Sequence, residues 1–224
     1  WTGGAVADPD WSNNLNWVNG IVPGAGETVV IPEVTTHYPL ITGNVTIDNL
    51  TVRPLAALTV NGGGTLTVNG DLITTGADFE INSGSTTSSG SLIVNGTATG
   101  NVTYNRFMPT GTEETLYRYI SLPVSSTTFP AGSFWRWDEV NGRWGEDQAE
   151  AVTTEGASGI GYTVAATGTS LAFTGTVLTG PVNISATAPY DATHIYQEQR
   201  TPWGGGGWNL LGNPYPSAIR GYNN

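Results

Sequence analysis

LTVNGGGTLTVNG, residues 58–70, decides the fold. Each Leu-Thr-Val triplet turns two apolar side chains to one side and a threonine to the other, which is the alternation of a half-buried strand. Asn61-Gly62 and Asn69-Gly70 close the triplets with residues that accept the positive φ of a tight corner. The same texture extends on both sides, through Val45-Thr46-Ile47, Leu50-Thr51-Val52, Leu72-Ile73, Phe79-Glu80-Ile81, Leu92-Ile93-Val94 and Val102-Thr103-Tyr104. Leu50, Leu58 and Leu66 recur at a spacing of eight. Asn-Gly corners would suit a meander of hairpins. Three-residue bursts pair poorly in isolation, however, and they suit one face of a coil that turns every seven to nine residues and stacks on the coil below. Short-period repetition therefore favours a parallel β-helix. Its outward threonines are expected to align in ladders.

A stacked coil exposes its core at each end and needs a cap of different composition. Residues 1–40 supply one, with Trp1, Trp11 and Trp17 set among Asn, Gly and Pro ahead of Thr28-Val29-Val30-Ile31. We read Trp11 and Trp17 as cap filler rather than as a ligand platform, because each indole buries a large apolar area.

After Met108-Pro109 the strands lengthen, over 116–122, 133–140, 161–165, 170–174, 182–186, 194–197 and 208–211. Longer strands without a short repeat predict an antiparallel, sandwich-like region. The chain is thus expected to be all-β, with a capped β-helix domain over 1–108 and a β-sandwich-like domain over 109–224. Glu139-Val140-Asn141-Gly142-Arg143-Trp144 reads as a two-residue type I′ hairpin. That register places Trp135, Trp137, Glu139 and Trp144 on one face. Only 145–154 has room for a helix, and 204–207 reads as a loop.

Composition narrows the function classes. Charged residues are 11% of the chain, against about 25% in an average domain. All seven basic residues are Arg, and 18 acids bring the formal charge to −11. Nucleic acid needs clustered cations, and none cluster here, so it is a poor partner, as is an anionic membrane surface. Without Cys the chain has no disulfide framework and no thiolate chemistry. No apolar run approaches the roughly 18 residues of a membrane span, so membrane insertion is not expected.

Candidate chemistry is sparse. The Lys of a P-loop does not exist in this chain. Gly156-Ala157-Ser158-Gly159-Ile160 lacks the last Gly of a nucleophile elbow. His37 and His194 sit in strand-like contexts that suit structural imidazoles. Asp8-Pro9-Asp10 opens like a calcium loop, but Asn13 and Asn19 stand where that loop needs Gly and Glu. No cofactor is expected, with Ca2+ the one ion that scattered carboxylates and carbonyls would suit.

Asp138, Glu139, Glu146 and Asp147 lie beside Trp135, Trp137 and Trp144, and paired carboxylates near indoles are the parts of a glycosidase. Acids at a hairpin and its exit are also ordinary solvated acids. Glycan binding needs only the aromatic face, so Trp135, Trp137 and Trp144 are read as a candidate carbohydrate-binding set, ahead of a polysaccharide-degrading site.

Trp1-Thr2-Gly3, Asp10-Trp11-Ser12-Asn13, Asn16-Trp17, Val22-Pro23-Gly24 and Tyr38-Pro39 resemble the start of repetitive modules in large surface proteins of the Bacteroidota. Residues 47–70 resemble the β-helical part of those proteins. Tyr117-Arg118-Tyr119-Ile120-Ser121-Leu122-Pro123-Val124 and Gly207-Trp208-Asn209-Leu210-Leu211-Gly212-Asn213-Pro214-Tyr215-Pro216-Ser217-Ala218-Ile219 resemble the β module that follows. The resemblance implies export by the type IX secretion system and an extracellular or cell-surface location. It implies an adhesive or structural, non-catalytic role, in some relatives linked to gliding. Expected partners are the secretion machinery, surface glycans and other copies of the chain. It further implies that the second domain is incomplete and that these residues belong to a longer protein. Trp208, Pro214 and Pro216 would then form a structural joint, since prolines stop a ladder and turn the chain.

Overall fold

The computed structural model describes residues 1–5, 7–33, 37–85, 87–110, 117–125, 129–130, 134–138, 143–144, 156–165, 168, 170–184 and 209–219, with the backbone alone at 138, 143 and 144. The protein is almost entirely β, a parallel solenoid of about three turns joined to an antiparallel sheet. Among the described residues eleven strands build the coil: β1 (Val29–Ile31), β2 (Leu40–Ile41), β3 (Asn44–Ile47), β4 (Leu50–Val52), β5 (Ala57–Val60), β6 (Thr65–Val68), β7 (Leu72–Ile73), β8 (Asp78–Asn82), β9 (Ser91–Val94), β10 (Ala98–Thr99) and β11 (Val102–Arg106). Every third strand stacks in parallel on the one before, giving ladders β1-β4-β7-β10, β2-β5-β8-β11 and β3-β6-β9.

The eight-residue spacing therefore measures one side of a three-sided coil. Val29 faces Leu50 and Leu50 faces Leu72, so the first two steps of this ladder take 21 and 22 residues. Thr65 faces Ser91, a step of 26 that absorbs the serine-rich segment around Ser83–Gly90. Alternation sends one side chain in two toward the axis, where like residues stack. Ile41, Val60, Ile81 and Tyr104 form one column and Ile47, Val68 and Val94 another, all buried. Each such side chain contributes about 1.5–3 kcal/mol by leaving water.

The expected threonine ladders are mixed in practice. Thr59 lies beside Glu80 and then Thr103, while Thr46 and Thr67 lead to Ile93. The corner glycines also act differently from the expectation. Gly70 and Gly96 do not adopt a positive φ. A Cβ at Gly70 would strike Asn49 Oδ1 on the turn below, and one at Gly96 would strike the Gly70 carbonyl. These corners need glycine because successive turns approach so closely.

The first end is closed by the tryptophans. Trp17 meets Trp11 at 4.6 Å and Trp1 at 5.1 Å, both edge to face, and all three are buried. Trp17 Nε1 donates to the Trp11 carbonyl at 2.7 Å and Trp1 Nε1 to the His37 carbonyl at 2.8 Å. Two 3-10 turns, Asn14–Asn16 and Val18–Gly20, lie within this cap, where the sequence pattern predicts no helix; the short helix expected at 145–154 falls outside the described residues.

Beyond residue 109, β12 (Tyr117–Ser121), β13 (Phe134–Asp138), β14 (Arg143–Trp144) and β15 (Gly161–Ala165) form an antiparallel sheet in the order β12-β15-β13-β14. β16 (Leu171–Gly175) leaves this region and pairs antiparallel with β11, closing the last turn of the coil. Leu122, Val124, Phe129, Phe134, Tyr162 and Val164 belong to the same apolar core as the solenoid's inner residues. The strand expected at 182–186 is absent over its described residues 182–184, and that expected at 208–211 reduces to a single bridge, Leu211 to Ile160. The strand expected at 194–197 and the loop at 204–207 fall outside the described residues.

Candidate functional site

The segment 209–219 spans from the antiparallel sheet to the solenoid. Gly161 N donates to the Leu210 carbonyl and Gly212 N to the Gly159 carbonyl, both at 2.8 Å. Ser121 Oγ donates to the Asn213 carbonyl at 2.7 Å. Asn213 then folds the chain back on itself, its Oδ1 accepting from Tyr215 N and its Nδ2 donating to the Ser217 carbonyl. Pro214 and Pro216 are both buried. The Pro216 carbonyl accepts from Leu92 N at 2.9 Å, capping β9 at the edge of its ladder. Proline suits this place because its carbonyl still accepts while its ring redirects the chain. Trp208 lies outside the described residues.

The hairpin that carries the candidate aromatic set forms, with a shifted register. Trp137 faces Trp144 and Asp138 faces Arg143, so the two-residue turn with Val140 opposite Arg143 does not occur. A shift of two residues preserves the parity of every position. β13 continues the register to β15, where Trp135 faces Thr163 and Thr163 faces Tyr119 of β12. This face therefore carries Tyr117, Tyr119, Trp135 and Trp137. Tyr117 meets Trp135 edge to face at 5.3 Å. Tyr119 is 72% exposed and Tyr117 53%, Trp135 and Trp137 are half-buried, and Thr163 is buried at its centre. The opposite face turns Phe134, Tyr162 and Val164 into the core, where Phe134 stacks on Phe129 at 4.3 Å. An exposed aromatic strip of this kind can stack on the apolar faces of sugar rings. The Trp144 and Asp138 side chains, Glu139, Glu146, Asp147 and His194 lie outside the described residues.

Asp8 and Asp10, which open like a calcium loop, are occupied by their own turn. Asp8 accepts from Asp10 N at 3.1 Å and from Asn13 Nδ2 at 2.9 Å. Asp10 accepts from the hydroxyl and backbone N–H of Ser12 and from the Thr42 hydroxyl. The Ser12 hydroxyl is the main reason that the Asp10 carboxyl stays below its ordinary pKa. Asp71 is held low by the backbone N–H and then the hydroxyl of Thr97 on the next turn, both at 2.8 Å. Among the described residues no three His, Cys, Asp or Glu side chains gather as a metal site. Among them, too, no helix is long and apolar enough to cross a membrane.

A family model described as a domain of unknown function (DUF8693) matches residues 1–223. The chain belongs to this family. No curated protein and no solved structure matches it at a significant level. For this DUF8693 member, site assignment therefore rests on its own residues. Three kinds of residue escaped the sequence reading. Asn16 is fully buried in the cap, accepting from Ala5 N and donating to the Asp8 and Asp10 carbonyls. Tyr117 and Tyr119 share a face with Trp135, which their spacing of two makes readable once 117–121 is taken as a strand. Arg106 ends β11 on the same parity as the buried Val102 and Tyr104, which aims it inward at the closed end of the coil.

Proposed function

We propose that the chain is a structural and adhesive module of a large secreted surface protein, exported by type IX secretion and working without catalysis at the cell surface. The observation that carries the reading is the joint. β16 and the Pro216 carbonyl take up strand edges at the last turn of the coil and tie it to the antiparallel sheet. A solenoid whose edges are taken up in this way serves as a spacer that resists edge-to-edge pairing. The rows of Thr, Ser and Asn on its flanks and the Bacteroidota-like motifs at 1–39 and 207–219 support an exported spacer. Antibody labelling of intact source cells tests this. We expect labelling of unpermeabilised cells that disappears when type IX secretion is disabled; signal confined to permeabilised cells would contradict it.

A second reading has its own support. The aromatic strip of Tyr117, Tyr119, Trp135 and Trp137 favours a carbohydrate-binding face. Trp135→Ala and Trp137→Ala are expected to abolish retention on the polysaccharide that the parent retains, while unchanged retention removes this reading.

A further inference from the structure

A cleft of about 540 Å3 lies where the solenoid, the antiparallel sheet and the joint meet. Thr65 and Ser91 line it from adjacent turns of the coil, Ser217 from the joint, and Tyr104 and Tyr119 add aromatic rings. Arg106 lines it as well. Arg106 Nη1 donates to Ser89 Oγ at 3.1 Å, and Ser89 Oγ meets the Oγ of buried Ser83 at 3.1 Å. This serine pair holds the half-buried guanidinium in place while leaving most of its five N–H donors to other acceptors. Among the described residues no carboxylate lines the cleft or pairs with Arg106. In a chain with 18 acids and seven Arg, a half-buried cation with no acid beside it among the described residues is a selective place for an anion.

We propose that this cleft binds a sugar acid, with the ligand's carboxylate on Arg106 and its hydroxyls on the serine and threonine wall. One guanidinium balances one carboxylate and can hold it with two parallel hydrogen bonds. A phosphate or polyanion would call for more cations and would meet the repulsion of a chain at −11. Alternating hydroxyls suit a polyol, and the tyrosine rings suit the apolar face of a pyranose. The volume lies within the roughly 300–1,000 Å3 of ordinary ligand sites. Tyr119 belongs to both the cleft and the aromatic strip, so a glycan chain seated in the cleft would run out along that strip. The inference rests on the adhesive reading only in giving that module a ligand; its cation, Arg106, and its coil wall, Thr65 and Ser91, lie outside the joint, while Ser217 comes from it.

Titration of the whole chain with methyl glucuronide, methyl glucoside and acetate tests the proposal. We expect the glucuronide to bind at least about tenfold more tightly than the glucoside or acetate, a difference of about 1.4 kcal/mol. Arg106→Gln should erase the preference for the charged sugar, and Arg106→Lys should keep part of it. Ala218→Trp, at an exposed position on the cleft wall, removes no side-chain hydrogen bond and should weaken glucuronide binding in a chain whose far-UV circular dichroism and thermal midpoint are unchanged. Glucuronide and glucoside binding equally, neither binding, acetate binding as well as the glucuronide, or Ala218→Trp binding like the parent would each overturn the proposal. None of these results bears on surface labelling, so the adhesive reading fails or survives separately.

Discussion

The solenoid and the antiparallel sheet bury the same kinds of side chain, but they find their partners over different distances. Facing residues in the coil stand 19 to 26 positions apart, as in Leu40 with Thr59 and Leu72 with Ala98. In the sheet the separations follow no repeat, from 5 positions for Asp138 with Arg143 to 48 for Tyr117 with Ala165. Doubling a closed loop costs only about 0.6 kcal/mol, so the two regions need not differ in stability. What differs is repetition. Each coil turn states its register again, whereas each pairing in the sheet occurs once. The comparison also has a bridge, because β16 and segment 209–219 tie the late, non-repeating part to the last turn of the coil.

If that bridge makes one unit of the two regions, truncating either core should move the same transition. Phe134→Ala removes a ring stacked on Phe129, which itself meets Tyr162 edge to face, and should cost about 3–5 kcal/mol. Leu58→Ala, in the middle of the coil, should cost about 2–5 kcal/mol. Differential scanning calorimetry should show one endotherm displaced by both variants. A second endotherm that only Phe134→Ala displaces would break the unit into independent domains.

A smaller effect sharpens what stacking requires. Gly96→Ala should cost about 1–3 kcal/mol, because its methyl would enter the carbonyl of Gly70 on the turn below. Gly26→Ala is the control, since nothing lies within 4 Å of its Cβ position, and chemical denaturation should find it within about 0.5 kcal/mol of the parent. Equal costs at both sites would contradict the close approach of successive turns.

The smallest effect is electrostatic and lies, among the described residues, on the solenoid side. Asp10 and Asp71 titrate below the ordinary 3.8 in the folded chain, held there by hydrogen bonds from Ser12 and Thr97. Their contribution is complete above the unfolded value and is lost as pH falls through the folded one. Thermal midpoints should therefore drop as pH falls below about 4, and Asp71→Asn should flatten that drop. A midpoint insensitive to pH in that window would remove these carboxylates from the account.

The same contrast explains what the sequence made legible. Leu50, Leu58 and Leu66 revealed the coil because one apolar residue recurs on each side of every turn. They left the three sides per turn unstated, since spacing alone fixes a side and not a circuit. The hairpin at 134–144 was readable from Asn141-Gly142, yet its register moved by two residues because pairing to β15 constrains β13 as well. The face of Trp135 survived that shift through parity. Arg106 escaped notice because an arginine at a strand end is usually solvated, and only the packing of Ser89 and the joint around it makes it half-buried. Asn16 escaped because a buried amide depends on carbonyls that converge only in the folded cap. Trp135 and Trp137 were found, and the tyrosines beside them were not, because the partners of β12 lie 40 and more positions downstream.

Hydrogen exchange at three backbone amides tests the joint most directly. Leu92 donates to Pro216, Gly161 to Leu210, and Gly212 to Gly159, so all three report on segment 209–219 from opposite sides. If the segment locks the solenoid to the sheet, the three should exchange as slowly as Asn69, whose N–H is bonded to Ile47 inside the coil. Rapid exchange at Leu92, with Asn69 still protected, would mean that the segment lies against the solenoid without holding it.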